Sequence, residues 1–114
     1  MILVVEDDLS WGKYYLRILK RAYKEKIVLV QDVLAALDEM ERERPRVILL
    51  DVLLTGPTGF ALINEMKSYG DWRKIDIVIV SSVKIAALPN GYGVKTILDK
   101  AKMKPEELIE ALKS

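Results

Sequence analysis

The sequence predicts an α/β fold in which helices cover both faces of a five-stranded parallel sheet. Short apolar runs alternate along the chain with longer stretches in which apolar residues recur at helical spacing, the clearest of which spans residues 11–22. The run Val47–Leu50 is apolar throughout, as expected for a strand that is covered on both faces. Strict alternation of strands and helices indicates a parallel sheet, because a parallel crossover usually contains a helix.

Each element follows from a local pattern. Strands are predicted over residues 2–5, 27–30, 47–50, 76–80 and 94–98. Helices are predicted from Ser10 as N-cap to Ala22, from Asp32 as N-cap up to Pro45, from Phe60 to about Tyr69, over residues 84–88, and from Pro105 onwards. These units match the flavodoxin-like doubly wound order 2-1-3-4-5, with about five helices. The fourth is short or irregular, because Pro89-Asn90-Gly91 follows it at once.

Size and composition limit the classes of function. A chain of 114 residues is expected to form one domain, residues 1–114. The absence of histidine and cysteine excludes Ser–His and Cys–His nucleophiles, disulfides and thiolate metal sites. Oxygen-ligated Mg²⁺ or Ca²⁺ is compatible with the acidic residues. A net charge of +1 gives no electrostatic reason to expect direct binding of nucleic acid or of an anionic membrane.

The start of the chain gives no targeting signal. Met1-Ile2-Leu3 lacks the basic leader of a secretory signal peptide. The apolar runs are about five residues long, far short of the roughly 20 residues that a membrane-spanning helix needs. We therefore expect a cytoplasmic protein without a membrane partner.

Polar side chains follow four of the predicted strands at the point where each strand ends. Asp7 and Asp8 follow the first strand, Asp51 the third, Ser81 the fourth and Lys100 the fifth. The carboxyl ends of parallel strands meet at one edge of a sheet, where such folds bind ligands. The sequence therefore predicts a crevice that contains three carboxylates, a hydroxyl and an ammonium.

This set of side chains suits a divalent cation and a phosphoryl group. Crowded carboxylates repel one another, and Mg²⁺ relieves this repulsion with hard oxygen ligands. Because side chains alternate along a strand, we expect Asp8 to contact the metal more directly than Asp7. Asp51 can attack phosphorus and hold it as an acyl phosphate, and Lys100 can stabilise the charge on the phosphoryl oxygens. Ser81 can donate a hydrogen bond to one of these oxygens.

Several motifs occur in a characteristic order. They are Val4-Val5-Glu6-Asp7-Asp8, Ile48-Leu49-Leu50-Asp51, Gly59 eight residues after Asp51, Ile79-Val80-Ser81-Ser82, and Gly93 seven residues before Lys100. In these motifs the chain resembles the receiver (CheY-like) domain of two-component response regulators, over essentially its full length. The resemblance implies a phosphorylation switch that takes part in a phosphorelay.

The resemblance also implies a role for each residue. Asp51 would be the phosphoacceptor, Lys100 the lysine of the site and Ser81 the switch hydroxyl. Asp7, Asp8, Asp51 and the backbone carbonyl of Leu53 would hold Mg²⁺. The domain would catalyse only its own phosphorylation and dephosphorylation, so it would not be an enzyme that acts on other substrates.

The resemblance further implies partners. A sensor histidine kinase or a histidine phosphotransfer protein would donate the phosphoryl group. A downstream protein or an output domain would respond to it, and a homodimer that forms on phosphorylation is compatible with this class of protein.

The sequence departs from the family pattern at several positions. Thr55 stands where a proline is usual, and Pro57 lies two residues further on. Ile97 occupies the position of the aromatic switch residue, and Ala101 replaces the usual cis-proline after Lys100. A cis bond before a non-proline residue costs roughly 3–4 kcal/mol, so we expect a trans bond there. The segment from the hydroxyl to the lysine is also about three residues shorter than is typical, and the loss falls on the helix over 84–88.

These departures keep alternative functions open. A pseudo-receiver would retain the fold and dock a partner without control by phosphorylation. A phosphohydrolase with an aspartyl-phosphate intermediate is disfavoured, because Leu53 stands where such enzymes often carry a second aspartate. Flavin binding is supported only at the level of the fold.

An aromatic cluster begins the first helix. Core packing is the favoured interpretation of Trp11, Tyr14 and Tyr15, with Trp11 or Tyr14 partly exposed beside the site. In the family that the chain resembles, this helix is where a histidine phosphotransfer bundle docks.

Overall fold

The structure is a computed structural model that describes residues 1–54, 58–83 and 93–114. In chain order the elements are β1 (Ile2–Val5), α1 (Leu9–Ala22), β2 (Ile27–Val30), α2 (Val33–Arg42), β3 (Val47–Asp51), α3 (Gly59–Lys67), a 3-10 turn (Trp72–Lys74), β4 (Asp76–Ser81), β5 (Val94–Asp99) and α4 (Pro105–Ala111). The short helix predicted over 84–88 lies outside the described residues, as do Thr55 and Pro57 of the predicted loop.

The five strands form one parallel sheet in the order β2-β1-β3-β4-β5. This order confirms the doubly wound topology predicted from the alternating pattern. β1 and β3 lie at the centre and are buried along their whole length, as the continuous apolar runs indicated. The carboxyl ends of β1 and β3 are neighbours, because Val5 pairs with Leu50.

The last strand pairs with β4 through an irregular register. Val94 lies opposite Ile77, whereas Thr96 lies opposite Val78, so Lys95 is an extra residue in β5. Regular pairing then continues until Asp99 lies opposite Ser81. The bulge therefore sets which residue of β5 reaches the carboxyl edge of the sheet.

The core has two layers because side chains alternate along each strand. Ile2 and Val4 of β1 pack with Tyr15 and Leu19 of α1 and with Leu108 of α4. The alternate residues of β1, Leu3 and Val5, pack on the other face, in a cluster that also contains Val33, Ala36, Met40, Leu62, Ile63, Met66 and Trp72. The helices α1 and α4 thus cover one face, and α2 and α3 cover the other. Among the described residues, no helix is both long enough and apolar enough to cross a membrane.

The helices begin at side chains that satisfy free backbone N–H groups. Asp32 accepts a hydrogen bond from the Ala35 amide at 2.8 Å, which confirms it as the N-cap of α2. The prediction that Ser10 caps α1 is wrong. The cap is Asp8, which accepts from the amide of Trp11 at 3.0 Å, and Ser10 lies within the first turn.

Gly59 allows α3 to begin directly against the end of β3. A Cβ atom at Gly59 would lie 2.8 Å from both the carbonyl oxygen of Asp51 and the Cα of Val52. These are backbone atoms that cannot rotate away, so a larger residue would push α3 from the strand. The Gly59 amide also donates to the Val52 carbonyl at 3.1 Å.

A cluster of polar contacts ties the opposite edge of the sheet to α4. The Arg46 guanidinium donates to Glu25 at 2.6 Å through Nη2 and to the carbonyl of Leu112 at 2.7 Å through Nη1. The Tyr23 hydroxyl donates to the carbonyl of Ile109. Since Arg46 satisfies a carbonyl at the end of α4, it stabilises the packing of α4 as well as the turn before β3.

We predict that Gly59→Ala lowers the free energy of unfolding by about 1–3 kcal/mol, because the added methyl group meets backbone on two sides. Urea denaturation measures this change. Gly70→Ala is the matched control: within the described part of the chain, a Cβ at Gly70 would have only the Arg73 side chain within 4 Å, at 3.9 Å. We expect Gly70→Ala to leave stability unchanged or slightly higher. Equal losses in the two variants would contradict this role of Gly59.

We predict that Glu25→Gln costs about 1 kcal/mol of stability at pH 7 and progressively less in acid. The hydrogen bond from Arg46 holds the pKa of Glu25 below its ordinary value of 4.5. Its contribution is therefore complete above pH 4.5 and is lost as the pH falls through the lower pKa of the folded state. Urea denaturation of wild type and variant at pH 7 and at pH 3 tests this, with the exposed pair Lys26–Glu43 as control. A Glu43→Gln loss as large as that of Glu25→Gln would contradict the prediction.

Candidate functional site

An acidic cluster lies at the carboxyl edge of the two central strands. Carboxylate oxygens of Glu6, Asp7 and Asp51 lie within 4.8 Å of one another. The register explains this proximity: β1 ends at Val5, its partner Leu50 precedes Asp51, and the next residues therefore meet. Glu6 and Asp51 are buried, with 1% and 4% of their surface exposed. The cluster brings together Asp7 and Asp51, which the sequence predicted for the site, and Glu6, which it did not.

Lys100 joins this cluster from the end of β5. Its ammonium lies 2.6 Å from Oε1 of Glu6 and 3.0 Å from Oδ2 of Asp51. The Lys100 side chain is only 9% exposed. The predicted convergence of Asp51 and Lys100 is therefore present, across the intervening strand β4.

The cluster carries more negative charge than its lysine balances. Burial and the neighbouring Asp51 raise the pKa of Glu6 to about 7, against the opposing hydrogen bond from Lys100. Burial lowers the pKa of Lys100, but its hydrogen bonds to Glu6 and Asp51 outweigh burial, and the net pKa is raised. Lys100 thus stays cationic, and with all three carboxylates ionised the cluster has a net charge of −2 (three negative charges and one positive charge).

Asp8 lies apart from this cluster, contrary to the predicted geometry. Its side chain is exposed and accepts from the Trp11 amide as the N-cap of α1. The amide of Asp8 donates to Oε2 of Glu6 at 3.2 Å, so the turn directs Glu6 inwards and Asp8 towards the helix. The geometry therefore favours Glu6 and Asp7 over Asp7 and Asp8 as the acidic pair. An aspartate directly before the first helical residue is a favoured N-cap, and this was the signal for Asp8 in the sequence.

Ser81 ends β4 directly after Val80, the residue that pairs with Asp51, and Leu53 lies in the turn that follows β3. The Ser81 hydroxyl is buried and is paired with the backbone of Val83, donating to its carbonyl at 2.9 Å and accepting from its amide at 3.1 Å. The amide of Leu53 donates to Oδ1 of Asp51 at 3.0 Å. Asp51 is thereby oriented by Leu53 on one oxygen and by Lys100 on the other.

The turn after β5 positions Lys100 without a proline. The peptide bond between Lys100 and Ala101 is trans, as predicted. The amide of Lys100 donates to the carbonyl of Ser81 at 2.9 Å, which continues the pairing with β4. Oδ1 of Asp99 accepts from the Ala101 amide at 2.9 Å and closes the turn.

The aromatic cluster of α1 packs against the same lysine. Tyr15 is fully buried, whereas Trp11 and Tyr14 are partly exposed, as the sequence suggested. The Trp11 ring centroid lies 4.8 Å from the Lys100 ammonium, within the range of a cation–π contact. An open groove of about 470 Å³ lies beside these groups and is lined in part by Tyr14, Arg17 and Met103.

The donor set fits a hard divalent cation. The three carboxylates supply oxygen ligands of the kind that Mg²⁺ prefers. A dication would cancel the charge of −2 that the three ionised carboxylates and Lys100 carry together. Asp51 keeps one oxygen towards the ammonium of Lys100. The same edge of the sheet therefore combines cation ligands, a candidate nucleophile and a fixed positive charge.

Comparison with known families shows which family this chain belongs to. The model of the family described as "Response regulator receiver domain" matches residues 2–113. The chain belongs to this family. Receiver domains are signalling modules that interact with histidine kinases or phosphotransfer proteins and with output domains, and they bind Mg²⁺ at an acidic pocket.

Solved receiver structures share the fold at low sequence identity. Chemotaxis protein CheY4 of Vibrio cholerae superposes with a TM-score of 0.84 at 22% identity, over 97% of this chain and 93% of that chain. A sensor protein from Polaromonas sp. JS666 gives a TM-score of 0.84 at 23% identity, over 97% and 90% of the two chains. The signal receiver domain of a DNA-binding response regulator (merR) from Colwellia psychrerythraea 34H gives 0.81 at 22% identity, over 97% and 93%.

A curated relative is much longer than this receiver domain. An uncharacterised 76.5 kDa protein from the phbC 3' region of Thiocystis violacea is 32% identical over 80 residues. The match covers 70% of this chain and 11% of that protein. The receiver domain thus corresponds to a small part of its relative.

We predict that Asp7→Asn lowers the affinity for Mg²⁺, whereas Asp8→Ala lowers the stability of the fold. Asp7→Asn removes a charge from the cluster, so we expect Mg²⁺ affinity, measured by calorimetric titration, to fall at least about tenfold. Asp8→Ala removes only the cap, so affinity stays within about twofold while the free energy of unfolding falls by about 1 kcal/mol. A tenfold loss of affinity in Asp8→Ala would restore Asp8 to the metal site.

Proposed function

We propose that this receiver domain accepts a phosphoryl group on Asp51 and thereby switches its interactions with a partner. The observation that carries the proposal is the position of Asp51, which lies within the acidic cluster and 3.0 Å from the ammonium of Lys100. Stability alone does not explain this arrangement. Burying the carboxylates of Glu6 and Asp51 and the ammonium of Lys100 costs desolvation energy, which three apolar side chains in the same place would not.

Asp51 acts as the nucleophile in this proposal. A carboxylate oxygen of Asp51 forms a bond to phosphorus while the bond between phosphorus and the donor's nitrogen or oxygen breaks. The Leu53 amide, 3.0 Å from Oδ1, fixes the plane of the carboxylate. Water then attacks the acyl phosphate, which releases inorganic phosphate and restores the Asp51 carboxylate, so the domain acts only on itself.

Lys100 stabilises the charge that gathers on the phosphoryl oxygens. It already lies against Asp51, so it needs only to exchange a carboxylate oxygen for a phosphoryl oxygen. Ser81 must in turn give up its bond to the Val83 carbonyl in order to donate to the phosphoryl group. This exchange moves the turn after β4 and is the proposed origin of the switch.

Mg²⁺ is the proposed cofactor, held by Glu6, Asp7 and Asp51 with the backbone carbonyl of Leu53 as a further ligand. When bound, it would neutralise charge on the carboxylates and on the transferring phosphoryl group. Glu6 replaces Asp8 in this set, because Asp8 caps α1.

The proposed donor is a phosphohistidine of a sensor histidine kinase or a histidine phosphotransfer protein, and the proposed location is the cytoplasm. α1 is the proposed docking element, since its Trp11 and Tyr14 are partly exposed next to the site. A downstream protein or output domain would read the switch, and a homodimer that forms on phosphorylation belongs to the same proposal.

A pseudo-receiver is the second candidate, and Ile97 favours it. The Ile97 side chain is 39% exposed on β5, at the position where the family usually has an aromatic switch residue. No ring can rotate there to report the state of Asp51. Under this alternative, affinity for a partner would stay the same when beryllofluoride, a mimic of the phosphoryl group, occupies Asp51.

We predict that the wild-type protein gains the mass of one phosphoryl group when incubated with Mg²⁺ and acetyl phosphate, because Asp51 lies in the acidic cluster with Oδ2 3.0 Å from the ammonium of Lys100 and Oδ1 oriented by the Leu53 amide. Intact-mass spectrometry measures the adduct. Asp51→Asn should remain unmodified, and chelation of Mg²⁺ should abolish labelling of the wild type.

The control for nonspecific phosphorylation of carboxylates is Asp38→Asn, which changes an exposed carboxylate on α2. This variant should be labelled like the wild type. Labelling of Asp51→Asn to the same extent as the wild type, or the absence of any adduct on the wild type, would contradict the proposed function.

A further inference from the structure

The ammonium of Lys100 has an aromatic neighbour as well as its two carboxylates. The Trp11 ring centroid lies 4.8 Å from Nζ, while Glu6 and Asp51 lie 2.6 and 3.0 Å away. The quadrupole of an indole attracts a cation over its face, and this attraction is strongest where water is excluded. With its side chain 9% exposed, Lys100 is in such a place.

Trp11 is itself held in a fixed position. Its amide donates to the carboxylate of Asp8, which anchors the first turn of α1. Its ring makes an edge-to-face contact with Tyr14 at 5.6 Å between centroids and a tilted contact with Tyr15 at 5.7 Å. Tyr15 is fully buried, so the indole rests on the core and not on mobile surface groups.

Backbone contacts fix the main chain at Lys100 but not its side chain. The Lys100 amide donates to the carbonyl of Ser81 at 2.9 Å, and Asp99 accepts from the amides of Ala101 and Met103. A lysine side chain has a flexible four-carbon stem and loses considerable rotamer entropy when it is fixed. A contact beyond the backbone is therefore needed to keep the ammonium at the carboxylates.

We propose that Trp11 is the positioning residue for Lys100: its indole face holds the ammonium over Asp51 before and during phosphoryl transfer. The indole carries no charge, so its attraction for Lys100 stays the same while the oxygen partners of the ammonium change. The attraction of Glu6 and Asp51 for Lys100 does not stay constant, because Mg²⁺ binding would offset their negative charge and phosphorylation changes the charge of Asp51. The inference rests on the proposed function of Asp51, but it concerns a residue of α1 to which that function assigns no part in the chemistry.

The test compares variants of the full chain at Trp11. Trp11→Leu removes the aromatic face and keeps an apolar side chain, and Trp11→Phe restores a weaker face. Trp72→Leu is the matched control, since this tryptophan packs against Tyr69 in the opposite layer of the core. Each variant is combined with Lys100→Met in a double-mutant cycle. The melting temperature of each variant is measured to establish that it is folded at the temperature of the assay.

The first readout is the rate at which Asp51 is phosphorylated by acetyl phosphate at saturating Mg²⁺. We expect Trp11→Leu to be about five- to thirtyfold slower, which corresponds to a cation–π contact of about 1–2 kcal/mol at about 1.36 kcal/mol per tenfold. Trp11→Phe should recover most of this loss, and Trp72→Leu should keep the wild-type rate. In the Lys100→Met background, Trp11→Leu should have no further effect beyond about twofold.

The second readout does not require phosphorylation. In NMR spectra of the protein alone, the ε-methylene protons of Lys100 should show an upfield ring-current shift that is lost in Trp11→Leu and kept in Trp72→Leu. The unfolding free energies of the same cycle should show coupling between Trp11 and Lys100. Lys100→Met identifies the signal.

The two readouts separate this inference from the proposed function. A wild type that gains no phosphoryl group overturns the function of Asp51, while a ring-current shift with coupling still supports Trp11 as the positioning residue. A wild type that is phosphorylated but shows no shift and no coupling overturns the inference. So does a rate loss in Trp11→Leu that persists without Lys100, or an equal loss in Trp72→Leu.

Discussion

The ion pair network of Lys100 is the interaction on which the carboxyl edge of this molecule depends. One ammonium from the end of β5 reaches across β4 and contacts Asp51 at the end of β3 and Glu6 beyond β1. Removing a single partner from such a buried network would leave a charge without compensation, at a cost of about 3–5 kcal/mol. The network therefore fixes the ends of three strands relative to one another, and the ligands of the acidic cluster are held in place by the same contacts.

Most of the fold follows from local patterns in the sequence. β1 and β2 have the predicted bounds, Ile2–Val5 and Ile27–Val30, because the first apolar run ends at Glu6 and the second lies between Lys26 and Gln31. α3 ends at Lys67, earlier than predicted, because the chain turns at Ser68. Apolar periodicity continues into Tyr69, which packs on Trp72 of the following 3-10 turn. Periodicity alone cannot distinguish a residue at the end of a helix from one that folds back on it.

The candidate site was predictable where one residue ends a strand and ambiguous where several acids are adjacent. Asp51 directly follows one apolar run and Lys100 directly follows the last strand, so topology places them. Glu6, Asp7 and Asp8 are consecutive, and their roles depend on how the turn into α1 is closed. Asp8 caps α1 and so points away from the acidic cluster, while Glu6 points towards Lys100. Which of the three acids caps the helix is therefore decided by where α1 begins, at Leu9.

The extra residue in β5 has a consequence far from where it occurs. With Lys95 out of register, Leu98 lies opposite Val80 and packs beneath α1 and α4, while Ile97 faces away. In a regular ladder Leu98 would lie opposite Ser81, the two faces of the strand would exchange, and the chain would overshoot the edge by one residue, about 3.3 Å. A lysine displaced by that length would need a different side-chain conformation to contact both acids at 2.6 and 3.0 Å. The bulge at Lys95, near the start of β5, thus sets how far along the sheet Lys100 lies after the end of the strand.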